Sequence, residues 1–267
     1  MSKQQEKGFT LIELIMVIVI VGILSTMTTG LITLPVKSYL DLERRTTLVD
    51  TAEMSLRRMQ RDIRRALPNS IIANGGTTIE LLHTTEGSRY RANVSDASLG
   101  NILNFTIADT KFDVIGPLST VPSGYLVIYN TGTLGSNAYA NDNLASIDNG
   151  ASTISSIQLT TAKLFPYRSP QQRFFIVDTP ITYSCINGEL RRYDNKIDSA
   201  YIISNPSPAL SGLNYKLQAK TKTVACKFDY DPGNATRSGL VTIEMTLTDD
   251  AGESAKLIHQ VHVDNMP

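Results

Sequence analysis

Residues 8–35 read GFTLIELIMVIVIVGILSTMTTGLITLP, and this stretch decides the fold of the chain. The 23 positions between Glu13 and Lys37 carry no charge and are mostly apolar. At a rise of about 1.5 Å per residue, a helix of that length spans roughly 34 Å, enough to cross the hydrocarbon core of a bilayer. The sequence therefore predicts a membrane-embedded helix with one carboxylate, Glu13, at its start.

This carboxylate is a candidate functional group. An unpartnered acid at the centre of a bilayer costs about 2.5–3.5 kcal/mol, so an acid in such a segment usually has a function. The polar residues 1–8 (MSKQQEKG) precede it, like the charged front of an export signal. An ordinary secretory signal would be cut near residues 25–30, which would remove the helix, whereas a cut after Gly8 would keep it.

Composition excludes some classes of function. Lys and Arg together number 25, as do Asp and Glu together, so the chain has no net positive charge that would attract a polyanion. We therefore expect no nucleic-acid partner. Cys185 and Cys226 occur without a CxxC motif or a nearby histidine pair, so zinc lacks a ligand set and a disulfide is favoured. That bond implies an oxidising compartment and a C-terminus outside the cytoplasm.

Residues 37–67 predict the amphipathic continuation of the helix. Apolar residues recur at threes and fours, as on one helix face, and Pro68 ends the pattern. Glu53 and Arg57 are placed for an ion pair, and Asp62 lies within reach of Arg58 and Arg65 along the helix. The apolar stripe consists of Val49, Ala52, Leu56, Met59, Ile63 and Leu67. Five arginines crowd the last turns (Arg57, Arg58, Arg61, Arg64, Arg65), where we expect a solvated face; DNA binding is the alternative.

Beyond residue 68 the sequence predicts short β-strands separated by turns. Asn187-Gly188 indicates a hairpin between 182–186 and 189–193, and 240–248 alternates cleanly before a second hairpin with 256–263. Glu86-Gly87-Ser88 indicates another turn. Further strands are expected at 77–83, 89–94, 102–107, 125–129, 174–177 and 181–186, and surface loops at 132–156 and 205–211.

Catalytic motifs are missing from the sequence. It contains no GxSxG elbow, P-loop, HExxH or dinucleotide fingerprint, so we expect no enzyme and no cofactor. His259 and His262 have an odd offset that places them on opposite faces of a strand, as poor co-ligands. Asp229, Asp231 and Asn234 have oxygens that suit calcium, but the EF-hand pattern is not met, and we expect no metal site.

Residues 8–13, GFTLIE, match the processing site of type IV prepilins, so the N-terminus resembles that of type IV pilins and type II secretion pseudopilins. The resemblance implies cleavage by prepilin peptidase between Gly8 and Phe9, followed by N-methylation of Phe9. It also implies that Glu13 acts in assembly, where it neutralises the terminal amine of a neighbouring subunit. A generic signal anchor with an incidental glutamate is the alternative.

The resemblance implies an α+β, pilin-like fold, with a long N-terminal helix followed by a large antiparallel β-sheet head. The expected parts are a leader (1–8), a long helix (9–67, with 9–36 for membrane and assembly and 37–67 amphipathic) and a β-rich head (68–267). We expect the precursor in the inner membrane, single-pass with a periplasmic C-terminus, and the mature protein in a pilus at the cell surface.

Runs in the head, 79–91, 112–117, 181–193 and 259–267, resemble minor pilins of mannose-sensitive haemagglutinin pili. This similarity implies a minor pilin that initiates or caps a fibre. Its expected partners are prepilin peptidase, other minor pilins, the major pilin and the inner-membrane assembly platform. A J-type pseudopilin of a type II secretion system and a tip adhesin that binds glycans through the polar run 137–143 are the alternatives.

Overall fold

The computed structural model describes residues 8–73, 75–93, 100–194, 210, 212–234 and 237–265. One long helix is followed by antiparallel sheets, which confirms the α+β class predicted from the sequence. The chain divides into a helical unit, Met1–Thr47, and a globular unit, Leu48–Pro267. The leader before Gly8 and most of the loop expected at 205–211 lie outside the described residues.

The helix, α1, runs from Leu11 to Arg64 and continues through Pro35. The helix ends before the predicted stop at Pro68, because its last residues form a tighter turn. In this turn the amide of Ala66 donates to Ile63 O, three residues back, at 3.1 Å. The amide of Leu67 then donates to Leu82 O at 2.8 Å, so the chain has already begun to pair with a strand.

The predicted apolar stripe forms the buried face of the part of α1 within the globular unit. Ala52, Met59 and Ile63 are fully buried, Leu56 is nearly so, and Val49 is half-buried. They pack with the strand residues of the main core. A period of three and four residues thus predicts which side of the helix the sheets cover.

Eleven strands are present among the described residues, and every pairing between them is antiparallel. Their bounds are β1 Thr78–Tyr90, β2 Asp109–Ile115, β3 Tyr125–Val127, β4 Leu144–Ser146, β5 Ser156–Lys163, β6 Arg173–Ile186, β7 Glu189–Asp194, β8 Tyr215–Lys220, β9 Thr223–Asp231, β10 Gly239–Thr248 and β11 Ser254–Val263. Eight strands form one sheet in the order β4-β3-β6-β1-β2-β5, with β7 beside β6 and β8 beside β7, and three form a second sheet, β11-β10-β9.

Two predicted hairpins are confirmed. Asn187 (φ 52°) and Gly188 (φ 74°) both adopt the left-handed conformation that a two-residue hairpin turn requires, and they join β6 to β7. β10 and β11 pair without a register shift. The inward positions of β10 are all fully buried, as its alternation predicts: Val241, Ile243, Met245 and Leu247.

The predicted turn at Glu86-Gly87-Ser88 is wrong, because β1 continues through it. Gly87 stands opposite Phe175 of β6, and a Cβ at position 87 would lie 3.2 Å from that ring. The glycine therefore makes room for an aromatic ring rather than for a turn. Likewise, 174–177 and 181–186 belong to one strand, β6; Pro180 lies at a register shift, where its missing N–H interrupts no regular ladder.

Two other predictions are corrected. Residues 102–107 form no strand, because Asn104 Oδ1 accepts from the amides of Thr106 (2.8 Å) and Ile107 (3.2 Å) and turns the chain. The stretch 132–156, expected as a surface loop, contains β4 and contributes buried Leu144 and Ile147 to the core. Its polar composition reflects its turns, whereas a few apolar residues decide its burial.

A disulfide joins the two sheets. Cys185 lies on β6 and Cys226 on β9, and their Cα atoms are 5.8 Å apart. Both cysteines belong to the core that the stripe of α1 covers. The bond therefore crosslinks the β-sheets at the layer where helix and strands meet.

Candidate functional site at the start of the helix

Gly8, Phe9 and Thr10 precede the first helical residue, and all three are exposed. Thr10 caps the helix: its Oγ1 accepts from the Glu13 amide at 3.4 Å, and its carbonyl accepts from the Leu14 amide at 3.2 Å. Thr10 and Glu13 have the T-x-x-E spacing of a capping box, which fixes where the helix starts. The Gly8–Phe9 bond is thus non-helical and accessible, as a protease substrate must be.

The fold itself does not require the glycine at position 8. A Cβ built there meets no atom of the described residues within 4 Å. Gly87, by contrast, is confined by the Phe175 ring. A requirement for glycine at position 8 would therefore come from a molecule that handles this segment and not from folding.

Glu13 lies in the first turn of α1, where a negative charge interacts favourably with the helix dipole. Its side chain is exposed and forms no ion pair with any residue that the structure describes. If the first turns enter a bilayer, this carboxylate needs a cation from outside the described chain.

The apolar residues that follow Glu13 are uncovered. By length and composition, α1 is the helix among the described residues that could cross a membrane, and its most apolar window is unburied. Phe9 is 79% exposed. The exposed apolar side chains point in all directions around the helix and include Leu11, Ile12, Leu14, Ile15, Met16, Val17, Ile18, Val19, Ile20, Val21, Ile23, Leu24 and Met27. Exposing so many apolar side chains to water is unfavourable, so we expect lipid or other helices to cover this surface.

The three histidines singled out from the sequence lie on strands of the globular unit. His83 Nδ1 lies 2.8 Å from Asp178 Oδ1. Burial acts to raise the pKa of Asp178, but the hydrogen bonds from His83 and Thr179 outweigh it and hold that pKa below its usual value. His259 faces inward on β11 and His262 outward, as their odd offset predicts.

The calcium alternative gains no support from the geometry. Asp229 Oδ2 lies 2.7 Å from Lys227 Nζ, and Asp231 pairs with Arg237. Backbone and charge contacts with Gly233 and Arg237 also hold the pKa of Asp231 low. No group of three or more metal-ligating side chains occurs within the described ranges.

Sequence reasoning missed the partner of Asp62. This carboxylate, expected to pair with Arg58 and Arg65, turns inward and accepts from Arg192 Nε at 2.8 Å and from the Tyr183 hydroxyl at 2.7 Å. The Glu53–Arg57 pair forms as predicted, at 2.8 Å. The sequence contained one indication that Asp62 points inward. It lies beside the apolar positions 59 and 63, which belong to the buried face of the helix.

Comparison with protein families matches residues 3–29 to the prokaryotic N-terminal methylation motif. The match covers residues 3–8 of the polar leader, together with Phe9, Glu13 and most of the exposed apolar helix. Comparisons with curated proteins and with solved structures gave no match. The matched residues support the assignment of this chain to the type IV pilin-like proteins, the group that comprises pilins and pseudopilins.

Proposed function

We propose that this chain is a minor type IV pilin, a structural subunit that initiates or caps a pilus fibre. The observation that carries the proposal is the start of α1. There an accessible Gly8–Phe9 bond precedes an apolar helix that no part of its own unit covers. A chain that kept this helix after cleavage would have a surface able to sit in a membrane and then bundle with similar helices.

The proposed mechanism has two steps, and neither is catalysis by this protein. Prepilin peptidase removes the leader after Gly8, and methylation then modifies the new amine of Phe9. On assembly, Glu13 of one subunit pairs with the Phe9 amine of its neighbour. That contact replaces two unpaired charges in apolar surroundings with one ion pair, and so it fixes the axial register of the helices.

The proposed location follows from the same parts. The precursor lies in the inner membrane with its globular unit in the periplasm, and the mature subunit lies in the pilus at the cell surface. The Cys185–Cys226 bond supports this topology, because disulfides persist in oxidising compartments. The proposed partners are prepilin peptidase, other minor pilins, the major pilin and the inner-membrane assembly platform.

The finer assignment, to minor pilins like MshO of the mannose-sensitive haemagglutinin pilus, rests on the resemblance of the runs in the globular unit. The large sheets favour a minor subunit, because a repeating lateral lattice favours compact heads. A J-type pseudopilin of a secretion system shares the long helix and the large β-structure and is the second candidate. Neighbouring genes would separate the two.

The tip-adhesin alternative is weakened by the local structure of the loop on which it depends. In the run 137–143, Tyr139 and Asn143 are buried. Asn143 Nδ2 donates to Ile128 O at 3.0 Å, and Asn137 caps a short 3₁₀ helix, Ala138–Ala140. These contacts give Asn137 and Asn143 a role in the local fold, so fewer side chains of the run remain for a glycan site.

Replacing Glu13 with alanine tests the proposal. Glu13→Ala should be processed and retained in membranes but should enter fibres far less than wild type, measured by immunoblotting of sheared pili against the membrane fraction. Glu43→Ala, which removes another exposed acid of α1, is the matched control and should enter normally. Equal incorporation of both variants would show that the Glu13 carboxylate is not a docking element.

A further inference from the structure

A basic cleft lies in the globular unit, at the end of α1. Its volume is about 620 Å³, and its walls come from the last residues of the helix and from strands β1 and β6. Four arginines line it: Arg64, Arg65, Arg89 and Arg173, referred to below as the cleft arginines. The exposed Arg57 and Arg61 extend the basic surface along the helix.

The guanidinium groups of the cleft arginines have no partner in the described part of the chain. Within it, none of the four groups forms an ion pair or a hydrogen bond. Asp62, which the sequence places near Arg65, is turned inward to Arg192. Glu86 also lines the cleft, but its Oε1 accepts from the Ser119 amide at 2.6 Å.

Two of these arginines lie opposite each other on neighbouring strands of one sheet. Arg89 of β1 and Arg173 of β6 are directly opposed in the ladder, and like charges at such positions destabilise a strand pair. Arg192 of β7 and Lys216 of β8 are also directly opposed, but Asp194 forms an ion pair with each of them. An anion bound between Arg89 and Arg173 would turn this repulsion into attraction.

We propose that the cleft binds an acidic segment of a neighbouring subunit, whose carboxylates pair with the cleft arginines. This inference rests on the proposed function, in which the chain packs among other pilin subunits. Guanidinium groups suit the role because each can hold a carboxylate through two parallel hydrogen bonds. Arginines on three different elements would orient the segment as well as attract it.

Other residues of the cleft favour a peptide over a nucleic acid. Glu86 and Asp264 lie in its lining, where a continuous phosphate chain would meet their charge and a peptide could place neutral residues. Phe174 is fully buried and Phe175 half-buried, so the cleft lacks the series of exposed aromatic rings on which successive bases stack.

The test measures binding of a fluorescein-labelled hexaglutamate peptide to the full chain in detergent micelles, by fluorescence anisotropy. We expect the double variant Arg89→Gln with Arg173→Gln to bind about tenfold more weakly than wild type, since charged hydrogen bonds are lost. Lys111→Gln with Lys222→Gln removes the same charge from exposed positions outside the cleft and should bind like wild type.

A second readout separates a binding role from a structural one. Without peptide, the Arg89→Gln with Arg173→Gln variant should have a Tm about 1–3 °C above wild type, because the cross-strand repulsion is relieved. Arginines that merely support the fold would give a lower Tm on removal. A drop in Tm therefore contradicts the proposal.

Two further outcomes would overturn it. Hexaglutamate that does not bind the wild type, or that binds both double variants alike, removes the acidic-segment site. A labelled hexathymidylate that binds the cleft more tightly than hexaglutamate assigns it to nucleic acid instead. These results are independent of the fibre-entry assay on Glu13→Ala, so failure of the cleft and failure of the minor-pilin function are distinguishable.

Discussion

Arg192 Nε donates to Asp62 Oδ2 at 2.8 Å and so joins strand β7 to helix α1. The two side chains are only 11% and 10% exposed. The Tyr183 hydroxyl donates to the same oxygen, and burial together with the Asp62 charge raises the pKa of Tyr183. The sheets therefore hold the helix through a buried charge as well as through the apolar stripe.

Asp62→Ala should lower the free energy of unfolding by about 2–3 kcal/mol. The buried Tyr183 hydroxyl loses its acceptor, and the Arg192 guanidinium, which still pairs with Asp194, loses a charged hydrogen bond. Asp50→Ala, at an exposed position of the same helix, should change it by less than about 0.5 kcal/mol. Urea denaturation of both variants measures the difference. A loss for Asp62→Ala as small as that of the control would mean that the contact contributes little.

Reducing the Cys185–Cys226 bond should lower the free energy of unfolding by about 4 kcal/mol on the chain-entropy model, since the cysteines are separated by 41 positions. Denaturation with and without a reductant measures this, and mass spectrometry under non-reducing conditions identifies the linked peptides. Two free thiols in the native protein, or a transition insensitive to the reductant, would contradict the prediction.

The His83–Asp178 pair predicts a stability change in acid. The pKa of Asp178 is lower in the folded protein than its usual value, so its contribution is complete above the unfolded-state pKa and is lost as pH falls through the folded value. The stability difference between wild type and Asp178→Asn should therefore shrink between about pH 5 and about pH 3. Asp250→Asn, at an exposed turn, is the control. A difference that stays constant with pH would rule out this linkage.

Gly8→Leu should block processing while the globular unit keeps its thermal stability, because position 8 lies outside that unit and a Cβ there meets no described atom within 4 Å. The uncut precursor should be visible as a larger band on a gel. Gly22→Leu, which also has open space around it, should be processed normally. Normal cleavage of Gly8→Leu would show that the peptidase does not select glycine here.

Local patterns predicted much of the fold. The apolar run and the stripe from Ala52 to Ile63 determine α1, Asn187-Gly188 determines a hairpin, and strict alternation determines β10. In each case the signal lies within one element. The residues proposed for processing and assembly, Gly8, Phe9 and Glu13, lie within one short motif, so the sequence alone is enough to propose them.

Features that depend on contacts between distant segments were not predictable in this way. In the sequence, Gly87 indicates a turn, and only the position of the Phe175 ring in the structure explains the glycine. Pro180 likewise indicates the end of a strand, because the register shift that accommodates it is visible only in the structure. Asp62 finds Arg192 only once α1 packs on the sheet. The basic cleft needs Arg89 and Arg173 to meet across a strand pair, and no local spacing indicates that.

The mass of the N-terminal peptide of the mature protein, recovered from membranes and from sheared fibres, tests the central claim most directly. That claim is that the apolar helix is kept after processing and is then used for packing between subunits. We predict a peptide that begins at Phe9 and carries one methyl group on its terminal amine, in both fractions. A mature chain that begins downstream of Thr29, without the helix, would contradict the account.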